Sequence, residues 1–488
     1  MEAQEIRNLG KQLRAFLRQF DDCFYRSQPR QHLNSYIRGQ LSNLQRKSAE
    51  PIALAAKTPP RTLQRFLSSV HWDQQRLVDR LQWVVAHEHR DGDAIGTVDD
   101  TGHPKQGTHT ACVQRQWCGN TGKTDNCVIS VHTGYSSGDF QCILDSDLYL
   151  PKEWANDLER RQEAGIPEDV VYRKKTDIAL GQVARSLRNG IRVFAWTFDE
   201  WYGRDGGFLD GLQELGQNYV AEVPSNFTGW VKEPRILLSP RSRQRGKRGR
   251  KPHFPRLAVK ALAASEVSNL LVYSRRFQKQ RWKKYYIKEG EKGPVVWEVK
   301  WSKFYRKQGE DSLPGAVHCL IVGRNALNPD EVKYFVSNMA PGSNGNCLQK
   351  LLWVAFSRWP IEVCFRQAKD ELGMDHFEVR SWQAIHRHLY ISQLSHLFCV
   401  RVHQQFREKN SRQSVSDGRA GALRSINLAA SPKLSTVGSM AALQLCQRHN
   451  SLPSASQPES SIVSYRAYTL PTESVGHRSR ETALLCTG

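Results

Sequence analysis

The sequence lacks a long apolar run. It contains no stretch of 18 or more consecutive apolar residues, which is close to the minimum length of a transmembrane helix. Residues 1–20 mix charged side chains into a helical pattern and have no apolar centre of the kind found in secretory signals. We therefore expect a protein that does not enter a membrane, and a cytoplasmic location.

The sequence also lacks paired cysteine motifs. It has 11 cysteines, none of them in a C-x-x-C pair, and an odd number cannot pair completely. Cys112, Cys118 and Cys127 come closest to a cluster, but their spacing fits no standard zinc ribbon. We expect reduced thiols and neither a disulfide framework nor a zinc site.

Acidic residues are few in relation to basic ones. The chain has 70 Lys and Arg residues against 48 Asp and Glu residues, which gives a formal net charge of +22. A protein this basic generally has a polyanionic partner. Nucleic acid is favoured over an anionic membrane surface. A hydrophobic content of 39% indicates a folded chain, and 488 residues predict two to four domains.

The spacing of apolar residues divides the chain into five segments and predicts an α/β fold. Strands that we expect to form an antiparallel meander are followed by a helix at about 172–189 and a buried strand at 191–198. Later helices are expected at 348–372, interrupted at Pro360, and at 389–406. The predicted segments are an all-helical N-terminal domain (1–90), the first part of an α/β core (91–224), a β-rich basic insertion (225–345), the last part of the core (346–409) and a poorly ordered tail (410–488).

A helix-turn-helix pattern lies within the N-terminal segment. In SAEPIALAAKTPPRTLQRFLSS, a short helix is followed by a break at two prolines and by a second helix that carries Arg61, Gln64 and Arg65. The second helix of such a unit can enter the major groove of DNA. An ordinary helical hairpin is the alternative.

Basic and aromatic residues alternate in the insertion. The run RRFQKQRWKKYYIK contains Arg281, Trp282, Lys283 and Lys284, a mixture that binds phosphates and stacks on bases, and a second basic run spans 241–252. We predict DNA contacts here, although a charge run can also be a solvated face. Trp282, Trp297 and Trp301 could stack on an extruded base, but core packing is the more frequent use of tryptophan.

Two acidic residues follow apolar strands. Asp99 ends AIGTVD and Asp199 ends IRVFAWTFD, and carboxylates at such places point into the crevice where α/β sheets bind ligands. Each alone could instead cap a turn. As a pair in a basic protein, they are candidate metal ligands.

A third carboxylate is needed, because two divalent cations require several oxygen ligands. Glu362 is the best candidate, since Arg358 and Lys369 flank it in RWPIEVCFRQAKDELG. The side chains of Arg358 and Lys369 could both contact DNA phosphates, and Lys105 is a further candidate for such a contact. An ion pair with a neighbouring carboxylate is the alternative for Arg358 and Lys369.

Three segments resemble the acidic motifs of DDE transposases from bacterial insertion sequences: VDDTGHPKQG (98–107), TFDEWYG (197–203) and RWPIEVCFRQAKDELGMDHFEVRSW (358–382). More narrowly, they resemble the subgroup with a β-strand insertion and a third motif Y-x2-R-x3-E-x6-K. Arg358, Glu362 and Lys369 occupy the last three places of this motif, while Ala355 stands where the family has tyrosine. The resemblance spans about residues 10–405.

The resemblance implies an RNase H-like catalytic domain that cuts DNA at transposon ends with Mg²⁺ or Mn²⁺ and joins the 3′-hydroxyl to a target strand. Asp99 would bridge the two metal ions, Asp199 would bind the first and Glu362 the second. Asp100 competes with Asp99, because neighbours on a strand point to opposite faces. The family pattern favours Asp99, since it places a variable residue and then threonine after the catalytic aspartate.

The implied partners are double-stranded DNA, as transposon ends and as target, and a second copy of the chain in a homodimer on paired ends. The implied location is the nucleoid. A nuclease that cuts without joining, or an inactive DNA-binding relic, remains the alternative. His386, His388 and His396 lie in a predicted helix, which favours packing over metal binding.

Overall fold

The structure is a computed structural model that describes residues 3–237, 255–290, 293–309, 313–342 and 347–416. The predicted basic run at 241–252 lies outside the described residues. So does the predicted tail, apart from the end of the last helix.

Five helices lie between residues 3 and 88, where the apolar spacing predicts helices. These helices are α1 (Ala3–Arg18), α2 (Ser27–Gln40), α3 (Ala49–Ala55), α4 (Pro60–Ser68) and α5 (Gln74–Glu88), with a 3-10 turn at Asp21–Cys23. The predicted break between α3 and α4 is present. Pro60 begins α4 because the first position of a helix needs no backbone N–H.

Helix α4 packs against the last helix of the chain. Leu63, Phe66 and Leu67 are buried in a cluster that also contains Ile391 and Leu394. The buried guanidinium of Arg387 donates hydrogen bonds to the carbonyls of residues 66, 67, 70 and 72, in the last turn of α4 and just beyond it. The N-terminal helices therefore share their hydrophobic core with the C-terminal part of the chain.

The described strands form one large mixed sheet and one small one. The large sheet contains β1 (Ile95–Pro104), β2 (Gln114–Cys118), β3 (Lys123–Ser137), β4 (Phe140–Leu148), β5 (Ala195–Phe198), β6 (Tyr219–Val223), β7 (Thr228–Trp230), β10 (Ser265–Glu266), β11 (Lys283–Gly290), β12 (Gly293–Gln308), β13 (Leu313–Asn325) and β14 (Val332–Ser337). The small sheet pairs β8 (Ile236–Leu237) with β9 (Arg256–Leu257).

The centre of the large sheet has the strand order β4-β3-β1-β5-β6. Strands β1, β3 and β4 are antiparallel, as the predicted meander requires, and β2 adds a short strand beside the start of β3. Strands β5 and β6 run parallel to β1. Strand β5 is shorter than the predicted strand at 191–198, because residues 191–194 carry the chain from the preceding helix to the sheet.

The β-rich segment after residue 225 extends this same sheet. Strand β14 pairs with β6, β13 pairs with β14, and β12 pairs with β13, all antiparallel. Ile95 of β1, Val220 of β6 and Ile321 of β13 lie in one hydrophobic cluster. The segment predicted as an insertion is thus continuous with the central strands in both hydrogen bonding and packing.

Helices cover both faces of the sheet. They are α6 (Lys152–Asn156), α7 (Leu158–Glu163), α8 (Lys175–Arg188), α9 (Glu200–Gly203), α10 (Gly206–Glu214), α11 (Val267–Tyr273), α12 (Arg275–Gln278), α13 (Leu348–Ala355), α14 (Pro360–Asp370) and α15 (Trp382–Ser416). Val98 of β1 packs with Ile178 of α8, whereas Ile361 of α14 lies on the other face, against Gly134. The predicted interruption at Pro360 separates α13 from α14. In the described part of the chain, no helix is long and apolar enough to cross a membrane.

Candidate active site

Asp99 lies within β1 at the place where its parallel neighbour ends. The predicted strand stopped at Asp99, but β1 continues to Pro104 through its antiparallel pairing with β3. The pairing of β1 with β5 covers only residues 95–97. Because β5 ends there, Asp99 lies beside the end of a parallel neighbour, which is the position that ligand-binding acids occupy in α/β sheets.

Asp199 follows β5 and caps the next helix. Its Oδ1 accepts hydrogen bonds from the backbone N–H groups of Trp201 (3.0 Å) and Tyr202 (3.2 Å) at the start of α9. The cap fixes the carboxylate at the end of the strand. The two interpretations that the sequence allowed, a turn cap and a site residue, are compatible at this position.

Glu362 lies in the first turn of α14, and Arg358 precedes this helix. One guanidinium connects two of the acids: Arg358 Nη1 lies 2.9 Å from Asp99 Oδ2, and Nη2 lies 2.6 Å from Glu362 Oε1. The first and third sequence motifs are therefore in direct contact. In the structure Arg358 thus forms the ion pairs with carboxylates that the sequence offered as the alternative to a phosphate contact.

Asp100 points to the opposite face of β1. Its Oδ2 lies 2.7 Å from Lys175 Nζ of α8, and its Oδ1 lies 3.4 Å from the Tyr202 hydroxyl group, which donates to it. Because neighbouring side chains on a strand point to opposite faces, Asp100 lies beside Lys175 and Asp99 lies beside the third motif. This arrangement favours Asp99 as the acid of the candidate site.

Burial raises the pKa of two of the acids despite the charge of Arg358. Burial raises the pKa of Asp99 well above its usual value, and the nearby carboxylates of Asp199 and Asp100 add to this effect, while Arg358 opposes it. Burial also raises the pKa of Asp199. For Arg358, burial acts to lower the pKa, but the carboxylates of Asp99 and Glu362 outweigh it and the pKa rises. Further positive charge near these carboxylates would therefore stabilise their ionised form.

The donor chemistry fits a hard divalent cation. Asp99, Asp199 and Glu362 offer only carboxylate oxygens, the ligands that Mg²⁺ and Mn²⁺ prefer. In the described residues, no three His, Cys, Asp or Glu side chains are close enough together to hold a metal ion as they stand. Arg358 occupies the place between two of the acids. The guanidinium thus takes the oxygens of Asp99 and Glu362 that face each other across this place.

The two lysines predicted to contact phosphate have partners inside the protein. Lys369 is buried, and its ammonium donates to Thr101 Oγ1 (2.7 Å) and to the Gly102 carbonyl (3.0 Å). Lys105 donates to the carbonyls of Asp375 (2.8 Å) and Phe377 (2.9 Å), and burial lowers its pKa to about 8. In the structure these ammonium groups join β1 and the residue after it to α14 and the loop that follows. Their contact with DNA phosphate stays a prediction.

The basic residues of the β-rich segment line a cavity. Arg281, Lys283 and Lys284 are exposed. The Trp282 ring lies between Lys300 Nζ (4.8 Å from the ring centre) and the Arg324 guanidinium (4.4 Å). The neighbouring cavity of about 490 Å³ is lined by Arg276, Lys279, Gln280, Arg281, Lys283, Tyr285, Val299, Trp301 and Leu348. This surface is suited to an anionic chain.

The structure separates the tryptophans that the sequence grouped together. Trp297 is buried and packs against Phe356, with 4.8 Å between ring centres, so core packing describes it. Trp297 and Phe356 also line a second cavity of about 750 Å³, together with the half-exposed Trp359 and with Lys284. Phe356 and Trp359, on either side of Arg358 in the sequence, bring the turn between α13 and α14 into the lining of this cavity.

The histidines of α15 are buried in polar contacts. His386 lies 2.9 Å from an oxygen of Asp147, His388 lies 2.8 Å from the Tyr36 hydroxyl group, and His396 lies 3.0 Å from Gln367 Oε1. These contacts agree with the packing role predicted from the helical setting.

Sequence reasoning missed Glu222 near the site. It lies close to the carboxyl end of β6, adjacent to β5, and its charge contributes to raising the pKa of Asp199. Lys333 of β14 pairs with it at 2.8 Å. In the sequence, Glu222 could have been noticed as a carboxylate near the end of the strand YVAEV. Its position near Asp199 follows only from the pairing of β6 with β5.

Two comparisons with known proteins bear on the site. Residues 19–294 match the family model described as DDE superfamily endonuclease, a span that contains Asp99 and Asp199. A "Probable transposase for insertion sequence element IS701" from Microchaete diplosiphon is 30% identical over 192 residues, or 38% of this chain and 47% of the relative. The chain thus matches about half the length of this curated relative.

Proposed function

Because the chain belongs to the DDE superfamily endonuclease family, we propose that it is a transposase: it cuts DNA at the ends of an insertion sequence and joins the freed 3′-hydroxyl to target DNA. The observation that carries the proposal is the contact of one guanidinium with Asp99 and Glu362, two acids far apart in the sequence. The similarity to a probable insertion-sequence transposase supports the same function.

The strand order supports an RNase H-like catalytic domain. Three antiparallel strands are followed by two strands parallel to the first, and helices cover both faces. Asp99 on the first strand and Asp199 after the next parallel strand lie at adjacent positions in this order. Glu362 reaches the same crevice from a helix on one face of the sheet.

The chemistry proposed for the site is transfer of a phosphodiester between oxygen nucleophiles. Asp99, Asp199 and Glu362 would hold Mg²⁺ or Mn²⁺, which when bound activates the attacking oxygen and stabilises the leaving one. Arg358 supplies a fork of two N–H groups for a phosphate beside the scissile bond. The caps and ion pairs that fix Asp199 and Asp100 keep the crevice in a fixed geometry.

Two surfaces support binding of double-stranded DNA. Arg61, Gln64 and Arg65 form the exposed face of α4, whose opposite face is buried. The exposed cations around Trp282 form the second surface. We further propose that two copies of the chain act together on paired ends, in the cytoplasm at the nucleoid.

The test is a reaction with a supercoiled plasmid that carries the ends of the element, in the presence of Mg²⁺ or Mn²⁺. Wild type is compared with Asp199→Ala and Glu362→Ala, and with Glu168→Ala as a control at an exposed acid outside the site. We expect cleaved and joined products from wild type and control only. Cleaved ends without joined products would identify an endonuclease that does not transfer strands. DNA binding without any cleavage would identify an inactive relic.

A further inference from the structure

A single guanidinium occupies the position between the first and third acids. Arg358 Nη1 contacts Asp99 Oδ2 and Nη2 contacts Glu362 Oε1, at 2.9 and 2.6 Å. The two nitrogens of the fork are thus divided between two carboxylates. Both contacts are short enough to be charge-assisted hydrogen bonds, which are stronger than neutral ones.

The guanidinium competes with a metal ion for one oxygen of each of the two acids. A divalent cation binds carboxylate oxygens at roughly 2.0–2.2 Å for Mg²⁺ and similar ions. A cation at Asp99 Oδ2 and Glu362 Oε1 would stand beside a guanidinium that already contacts both atoms. Steric overlap and like charge would both oppose it. For a metal ion to bind the two acids through these oxygens, Arg358 must leave at least one of them.

The side chain of Arg358 can move to another partner. About a quarter of this side chain (26%) is exposed, so it is not fully enclosed in the core. A DNA phosphate presents two oxygens in the geometry that the arginine fork matches. Movement to such a phosphate would replace one ionic contact with another. The net cost is therefore smaller than that of leaving the acids for water.

We propose that Arg358 keeps the acids from binding metal until a DNA phosphate takes its guanidinium, so that DNA binding and metal binding strengthen each other. This inference rests on the proposed function, because it assigns metal binding to Asp99 and Glu362. The coupling is reciprocal: if DNA raises the affinity for the metal ion, the metal ion raises the affinity for DNA by the same factor. Free protein would then have little capacity for unspecific cleavage.

The test measures Mn²⁺ affinity directly, by titration with detection of free Mn²⁺ by electron paramagnetic resonance. Wild type and Arg358→Gln are titrated without DNA, with Arg173→Gln as the matched control. Arg173 also pairs with an aspartate, Asp147, at 2.6 Å, but outside the site. We expect Arg358→Gln to bind Mn²⁺ at least about tenfold more tightly than wild type and control, a typical size for coupling between sites.

A second arm repeats the titrations with a short duplex that carries an element end, after subtraction of Mn²⁺ bound by the duplex alone. We expect the duplex to tighten Mn²⁺ binding by wild type and to change that of Arg358→Gln much less. Equal or weaker Mn²⁺ binding by Arg358→Gln without DNA overturns the inference, as does an equal effect of the duplex on both proteins.

Two provisions keep the outcome decisive. Circular dichroism melting establishes that Arg358→Gln is folded. If it is not, Arg358→Lys takes its place, since a single ammonium cannot match both contacts of the fork and is expected to give intermediate tightening. Failure of the inference differs from failure of the proposed function: the first leaves cleavage dependent on the acids with Mn²⁺ affinity unaffected by Arg358, whereas the second removes the dependence of cleavage on the acids.

Discussion

Neighbouring residues on one strand have different chemical surroundings in this protein. Asp99 contacts Arg358 from the third motif, whereas Asp100 contacts Lys175 from α8. A strand offers its two faces to successive side chains, so one step along the sequence changes the partner completely. The family pattern favoured Asp99 over Asp100, and the packing of a different helix on each face of β1 gives the physical difference between them.

The two acids are therefore expected to differ in their effect on cleavage. Asp99→Asn removes a carboxylate from the candidate metal site, and we expect cleavage to fall by at least about a thousandfold, as when several kcal/mol of transition-state stabilisation are lost. Asp100→Asn breaks only the pair with Lys175 and is expected to retain much more activity. The measurement is the single-turnover cleavage rate of both variants. A greater loss in Asp100→Asn contradicts the assignment.

Asp145 is a buried carboxylate outside the candidate site. Burial raises its pKa to about 6, although Arg185 opposes this, with 3.6 Å between Arg185 Nη1 and Asp145 Oδ2. A raised pKa means that the folded state binds a proton more tightly than the unfolded state does. The stability that this proton contributes is fully present below about pH 4 and is lost as the pH rises through about 6.

We expect Asp145→Asn to be more stable than wild type at pH 8, by about 1–3 kcal/mol, because a shift of one pKa unit corresponds to 1.36 kcal/mol. Arg185 keeps its other partner, Asp79, at 2.7 Å. The difference should shrink towards pH 4. Denaturant unfolding at several pH values measures it, with Asp139→Asn at an exposed acid as control. A destabilised variant at pH 8 would show that the pair with Arg185 dominates.

Helix α14 is joined to β1 near both of its ends. Lys369 joins its last turn to β1 two residues beyond Asp99, and Arg358 joins its start to Asp99 itself. Lys105 holds the loop after the helix through two carbonyl groups. The helix that carries Glu362 is thus fixed to the strand that carries Asp99 at both ends.

Lys369→Met is expected to lower stability by about 1–3 kcal/mol, because the Thr101 hydroxyl and the Gly102 carbonyl lose a buried donor. Methionine keeps most of the apolar stem. The change in melting temperature measures the effect, and the salt dependence of DNA binding serves as the second readout. A reduced salt slope with unchanged stability would instead support a phosphate contact.

The sequence predicted individual elements better than their partners. The helix at 172–189 is present as Lys175–Arg188, and the break at Pro360 is confirmed, because periodicity and proline act within a few residues. The pairing of β14 with β6 was not foreseen, since it joins segments far apart in the chain. For the same reason, the spacing of Lys369 from Glu362 gave no sign that its ammonium turns towards β1.

For the molecule as a whole, the net charge of +22 predicts an anionic partner, and the structure presents basic side chains on defined surfaces. Arg387 ties the end of α4 to α15 through backbone carbonyls. The orientation of α4 is thereby fixed, and Arg61 and Arg65 are left on its exposed face.

We expect Arg61→Ala and Arg65→Ala to weaken DNA binding without a change in melting temperature, because both side chains are exposed. Each lost phosphate contact should reduce the slope of log K against log salt by about 1. Fluorescence anisotropy at several salt concentrations measures this, with Arg407→Ala as an exposed arginine in another helix. If the salt slopes of Arg61→Ala and Arg65→Ala equal that of the control Arg407→Ala, α4 is excluded from the DNA interface.

The central claim is that Asp99, Asp199 and Glu362 act as one metal-dependent centre. Residues that act as a unit show non-additive losses, because removal of one member already disables the others. The most direct test is the Mg²⁺-dependent cleavage rate of Asp199→Asn, Glu362→Gln and the double variant on a DNA end. We predict that the double variant is no slower than the slower single variant. Losses that multiply, or a single variant with wild-type rate, would contradict the claim.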